Sequence, residues 1–183
     1  SVEAYTPTGW TALPPLPHAA SEATACVLNG RLYVMGGTRC DKVQVLENTE
    51  ENGPSWTVSA DLPAARHQAA SCVHAGRIWL LGGFFGVDDD GDVADDPTAS
   101  VLIYDTSNGW TTGPALPRGM FDCRAVSRDG EIFIAGTCIE YRGCPARPHY
   151  EFCAFVYRNA WVEVVDLPGD DNADLAFQNL LLG

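Results

Sequence analysis

Residues Leu16 to Gly37 read LPHAASEATACVLNGRLYVMGG, and Leu62 to Gly83 read LPAARHQAASCVHAGRIWLLGG. Of these 22 aligned positions 10 are identical, and Leu116 to Thr137 (LPRGMFDCRAVSRDGEIFIAGT) continues in the same frame. Each copy runs from a small-residue segment into a turn at Asn29-Gly30, Ala75-Gly76 or Asp129-Gly130. Asn-Gly and Asp-Gly supply the positive φ angles of a tight hairpin. The return segment alternates a ring with aliphatics (Leu32-Tyr33-Val34, Ile78-Trp79-Leu80, Ile132-Phe133-Ile134) and stops at Gly36-Gly37, Gly82-Gly83 or Gly136-Thr137. Period-two alternation closed by glycines marks short strands with a bulge or a close backbone approach at the end.

Working outward, a tryptophan precedes every copy. Trp10, Trp56, Trp110 and Trp161 are each followed six and seven residues later by Leu-Pro, with 46, 54 and 51 residues between successive tryptophans. A variable loop and a third strand, Lys42–Leu46, Val101–Asp105 or Phe152–Tyr157, fill the space between Gly-Gly and the next Trp phrase, which is itself the fourth strand. Four strands per unit and no amphipathic helix of useful length make the chain all-β. The turn-rich composition agrees, with 18 Gly and 12 Pro spread throughout.

Composition removes several functions. Hydrophobic residues form 46% of the 183, enough for a sizeable core. The longest apolar run, Ile78 to Val87, is split by Gly82, Gly83 and Gly86, so no helix spans a bilayer there. With 11 Lys+Arg against 24 Asp+Glu the net charge is −13, and Lys42 is the sole lysine. A phosphate-backbone binder needs a basic stripe, so neither nucleic acid nor membrane insertion is expected.

Units of about 50 residues with paired glycines, a ring three positions before them, a ring closing the third strand (Tyr5, Tyr104, Tyr157) and a following Trp resemble the kelch repeat. The resemblance covers nearly the whole chain. Thr137 in place of a second glycine and Leu46 in place of a tyrosine depart from the pattern. It implies a β-propeller of four-stranded antiparallel blades: complete blades at about 16–61, 62–115 and 116–166, and partial blades at 1–15 and 167–183. The last would bring one inner strand, around 173–178. The expectation is that further blades of the same native protein, or a neighbouring chain, pair both ends. A four-bladed ring with a composite blade is the alternative.

Strand order places the loops after Gly-Gly and after Leu-Pro on one face. Length varies most there, at residues 38–41, 84–100 and 137–151, and variable loops on a rigid scaffold carry binding. The candidates are Arg39, Arg66, His67, Phe84, Phe85, Arg118, Phe121, Tyr141, Arg142, Arg147, His149 and Tyr150. In kelch proteins an arginine a few residues after Leu-Pro often faces the ligand, and Arg66 matches that position, where the neighbouring units have Ala20 and Met120. The acidic run 88–96 offers Asp88, Asp90 and Asp92 as weak calcium ligands, although its glycine is misplaced for an EF-hand and Ala99 holds the twelfth position. Cys26, Cys72 and Cys123 read as small buried hydrophobes. Cys138, Cys144 and Cys153 are compatible with one disulfide of open pairing. Cytoplasmic and extracellular settings both fit.

The resemblance implies a non-catalytic protein-interaction scaffold with a protein partner and no cofactor. The alternatives are a structural subunit of a larger assembly and, more remotely, a galactose-oxidase-like or other propeller enzyme. His18, His67, His74 and His149 show no spacing that supports the oxidase.

Overall fold

The structure is a computed structural model that describes residues 1–49, 53–86, 96–140 and 148–164. A hairpin of β1 (Val2–Thr6) and β2 (Gly9–Leu13) comes first. The first four-stranded sheet holds β3 (Thr24–Leu28), β4 (Arg31–Met35), β5 (Val43–Thr49) and β6 (Gly53–Val58). After β7 (Arg66–His67) come β8 (Ala70–His74) and β9 (Arg77–Leu81), then β10 (Phe84–Phe85), β11 (Val101–Asp105) and β12 (Gly109–Thr112). The third sheet holds β13 (Met120–Arg128), β14 (Glu131–Glu140), β15 (His149–Tyr157) and β16 (Trp161–Glu163). The strand orders β3-β4-β5-β6, β8-β9-β11-β12 and β13-β14-β15-β16 make three antiparallel four-stranded blades, and β7 pairs with β10 as a separate ribbon. The described residues contain no helix, so none is long and apolar enough to cross a membrane. The inner strand expected around 173–178 lies outside the described residues.

Asn29 and Gly30 have φ of 51° and 76°, the double positive pair that turns β3 into β4 without splaying them. The inner strands of adjacent blades then lie side by side. Thr24 Oγ1 is 2.8 Å from Ser71 Oγ, and Ser127 Oγ is 2.9 Å from His74 Nδ1. The core consequently sits between blades. Leu28, Tyr33, Met35, Val43, Leu62, Ile78 and Leu80 fill the first seam. Trp79, Leu81, Val101, Leu116, Ile134 and Phe155 fill the second. At about 25 cal/mol per Å² of apolar surface removed from water, these seams are the main force holding blade to blade.

The paired glycines exist for those seams. Gly37 N donates to the Arg66 carbonyl of the next blade at 2.8 Å, and Gly83 N donates to the Met120 carbonyl at 2.6 Å. Gly36, Gly37, Gly82 and Gly83 all have positive φ, and a Cβ on any of them would run into a backbone carbonyl oxygen. In the third blade Gly136 has no positive φ, and β14 runs straight through Thr137 to Glu140. This corrects the expected loop over 137–151: Thr137 has a side chain that fits a strand, so the ladder to β15 continues down to Glu140 opposite His149.

In the second and third blades a third-strand tyrosine stands between the Trp and the ring of the neighbouring blade. Tyr33 meets Tyr104 at 6.0 Å and Tyr104 meets Trp110 at 5.0 Å. Trp79 meets Tyr157 at 5.3 Å and Tyr157 meets Trp161 at 5.1 Å. Trp10 meets Tyr5 at 5.3 Å with the rings tilted, and both residues are 70% exposed.

Candidate functional site

The β7–β10 ribbon stands at the end of the second blade because Leu62-Pro63 delivers β7 and Gly82-Gly83 delivers β10 to the same place. Phe84 lies opposite His67, and Phe85 opposite Arg66. From this ribbon a row of rings crosses to the third blade. His67 stacks on Phe84 at 5.5 Å, Phe84 meets Phe121 at 4.9 Å, and Phe121 meets Tyr150 edge-on at 6.2 Å. Phe121 comes from β13 opposite Thr137, and Tyr150 from β15 opposite Ile139. Phe84 and Phe121 are half-buried, Tyr150 is 59% exposed and Phe85 40%.

Arg66 and His67, expected as open loop side chains, are both 3% exposed. Arg66 lies beneath Phe85, 5.0 Å from the ring centroid. Its Nη1 donates to the Ser100 carbonyl at 3.1 Å, and its Nη2 donates to Ser100 Oγ at 2.6 Å. Burial draws its pKa down to about 10. The guanidinium thus braces β10 against the segment entering β11. His67 Nε2 is 3.9 Å from a Glu22 carboxylate oxygen of the first blade, and its Nδ1 is buried without a hydrogen-bond partner.

Arg118, following Leu116-Pro117, reaches across the β14–β15 ladder. Its Nη2 lies 2.9 Å from Glu140 and its Nη1 3.1 Å from Glu151. The two carboxylates had no signal of their own in the sequence. They meet because Thr137 lets both strands extend past the glycine position, which brings Glu140 and Glu151 to the end of one ladder. His149 and Tyr150 belong to β15, a strand and not a loop, and His149 is exposed. Arg39 is exposed, and its Cα lies 3.8 Å from where a Cβ on Gly86 would stand. It marks the border between the first two blades, beside the end of the β7–β10 ribbon. Tyr141, Arg142, Arg147, Cys144 and the calcium candidates Asp88, Asp90 and Asp92 lie outside the described residues.

Cys138, within the expected 137–151 loop, and Cys153 are buried within the third blade, at 0% and 3% exposure. Both are free thiols. Where the inner strands converge, a cleft of about 250 Å³ is lined by Glu22, Gln68, Asp122 and Arg124 among others. Glu22, Gln68 and Asp122 occupy equivalent repeat positions, with φ of 57°, 53° and 49°. Gln68 N donates to the Glu22 carbonyl at 3.0 Å, joining the first blade to the second.

Radial four-stranded blades with glycine-mediated seams define a β-propeller. Residues 65–117 match the family described as Kelch motif, in line with the kelch-repeat resemblance of the sequence. It is similar to a solved structure titled "Structure of YjhT", with a TM-score of 0.60 and 24% identity over 69% of this chain. The match takes in 37% of that chain, so the present chain spans little more than a third of its length. No curated protein matches.

Proposed function

We propose that the chain is a non-catalytic protein-interaction scaffold that holds a protein partner on the face formed by the loops after Gly-Gly and after Leu-Pro. The observation carrying this reading is the ring row His67–Phe84–Phe121–Tyr150, which bridges two blades and ends in exposed aromatic surface. Rigid aromatic side chains bury large areas at small entropic cost and are enriched at interface centres. Phe85 is held by buried Arg66 and Tyr150 by a ladder strand, so the surface is organised before a partner arrives.

The test is a photo-crosslinking residue placed at Phe85, at Tyr150 and, as control, at Val162 on an outer strand. One partner captured from both face positions and absent from Val162 supports the reading. Equal capture from all three, or none from the face, overturns it.

A second reading, a structural subunit of a larger assembly, draws on the exposed Tyr5–Trp10 pair. A concentration-dependent sedimentation coefficient that Trp10→Ser abolishes would favour it.

A further inference from the structure

The fourth strand leaves each blade at the same rung. Ser59 N donates to the Val43 carbonyl at 2.8 Å, Gly113 N to the Val101 carbonyl at 2.9 Å and Val164 N to the Ala154 carbonyl at 2.9 Å. Val43 and Val101 are the first residues of β5 and β11, so in those blades the third strand begins where the fourth departs. In the third blade β15 begins at His149, five residues before Ala154, and pairs with the extension of β14 past Thr137. β16 pairs only with Phe155, Val156 and Tyr157. Among the described residues, the outer edge of β15 from His149 to Cys153 therefore has no strand beside it.

Alternation decides which backbone groups stand open. Along a strand, successive residues turn their N–H and C=O to opposite neighbours. Ala154 turns its carbonyl outward to Val164, so Phe152 and Tyr150 face outward as well, while Glu151 and Cys153 face β14 opposite Cys138 and Gly136. Two donors and two acceptors are left in a row. Natural edges are commonly blunted by Pro, Lys or a bulge, and His149–Cys153 (HYEFC) carries none of these.

We propose that this edge takes an added antiparallel strand from the protein partner, an extended segment in which apolar residues alternate with Lys or Arg. The inference rests on the reading of this face as a partner surface and specifies how the partner is held. Main-chain hydrogen bonds supply the affinity of such an addition, and alternate side chains its specificity.

Side-chain chemistry sets the pattern. Tyr150 and Phe152 share one face of β15, and Glu151 lies on the other. Phe152, like Phe133, packs on Ala135 and Ala154, and Tyr150, largely exposed, ends the ring row. Residues added opposite these two rings meet apolar surface. The residue between them comes up beside Glu151. There Arg118 is shared by two carboxylates, Glu140 and Glu151, which leaves one negative charge in excess on a chain of net charge −13. A cation directly across from Glu151 offsets that excess, and an acidic residue there adds to it.

The test begins with amide hydrogen exchange on the full chain, read residue by residue by NMR. The Tyr150 and Phe152 amides should exchange at least about tenfold faster than those of Glu151 and Cys153. Equal protection of all four would mean that the chain covers its own edge and would overturn the proposal. The binding probe is an amidated heptapeptide alternating valine and lysine, which should protect both open amides. N-methylation of its valines, which lie opposite Tyr150 and Phe152, should weaken binding about tenfold or more, the effect of two lost hydrogen bonds. N-methylation of its lysines should leave binding in place, and glutamate in place of lysine should abolish it. Tyr150→Pro removes an outward N–H and no bond to β14, so it should bind the peptide more weakly than Tyr150→Ala, which keeps that donor. No binding, binding indifferent to the site of methylation, or binding equally good with glutamate would overturn strand addition, and these wild-type measurements decide even if a variant fails to fold. Partner capture from Phe85 while both amides stay unprotected would also overturn it and leave the scaffold reading standing. No capture, with methylation-sensitive binding of the peptide, would do the reverse.

Discussion

The indole Nε1 of Trp110 donates to the carbonyl of Ala60 at 3.0 Å, and Ala60 is the fourth residue after the tryptophan of the preceding blade. Trp56 makes the same contact to Pro14 at 2.8 Å and Trp161 to Pro114 at 2.9 Å. Each tryptophan thus clips its own outer strand to the strand exit of the blade before it. The repeat of about 50 residues is therefore an interblade hydrogen bond as well as a sequence period.

Trp110→Ala should lower stability by about 2 kcal/mol, below the usual 3–5 for a buried tryptophan because this ring is half-buried. Trp10→Ala should change stability by no more than about 0.5 kcal/mol, as expected for an exposed position. Urea midpoints of the two variants test the difference. Equal losses would mean that the motif, and not the clip, determines the energetics.

Gly36→Ala and Gly30→Ala both place a Cβ at positive φ, which costs roughly 1–2 kcal/mol. Only at Gly36 does the Cβ also meet a neighbouring blade, at the Arg66 carbonyl; nothing lies within 4 Å of it at Gly30. Gly36→Ala should therefore lose a further 1–3 kcal/mol or so from overpacking. The difference between the two variants in thermal or urea unfolding measures the seam alone.

Much of this architecture was legible because it is local or periodic. Asn29-Gly30 names its own turn, Tyr33 and Trp79 name strand faces, and the Trp and Leu-Pro phrases keep register over long spacing. Contacts between blades were less legible. Arg66 follows Leu-Pro in the manner of a surface residue, yet the close approach at Gly36-Gly37 and Gly82-Gly83 brings neighbouring blades around it and buries it. The stretch that forms the ladder ending at Glu140 and His149 looks like a loop in sequence, because in the first two copies the strand stops at the glycine pair. Exchanging one glycine for Thr137 was enough to lengthen the strand and place Glu140 and Glu151 around Arg118. Of the ring row, Phe84, Phe121 and Tyr150 were individually visible, but their contact depends on a crossing between blades that no local pattern encodes.

Burial raises the thiols of Cys26 to about 11 and of Cys72 and Cys123 to about 12. An acid whose folded pKa is raised keeps its proton in the native state after the unfolded chain has lost it. Its stabilising contribution is complete below the unfolded pKa, near 8.5–9, and disappears as pH rises through the folded value. Stability should fall between pH 9 and about 11–12, by about 1.4 kcal/mol per pH unit per thiol. Cys72→Ala should flatten that slope by one thiol's share between pH 9 and 10.5. Urea titrations of both chains at pH 8 and pH 10.5 supply the comparison, and parallel pH profiles would contradict it.

The last expectation separates folding from binding at the ring row. Tyr150 is 59% exposed and touches the row only through its edge contact with Phe121. Removing its ring leaves the seam between blades intact, so Tyr150→Ala should shift stability by about 0.5 kcal/mol or less. Phe121 has a ring on each side, Phe84 and Tyr150. Phe121→Ala removes both contacts and should cost about 1–3 kcal/mol, since aromatic pairs add roughly 0.5–1.5 kcal/mol each beyond burial. If the row is the docking surface, both substitutions should abolish partner crosslinking from Phe85 although only one weakens the fold. Retained crosslinking in a stable Tyr150→Ala chain would remove Tyr150 from the interface. Loss in Phe121→Ala alone would reduce the row to a support for the β7–β10 ribbon.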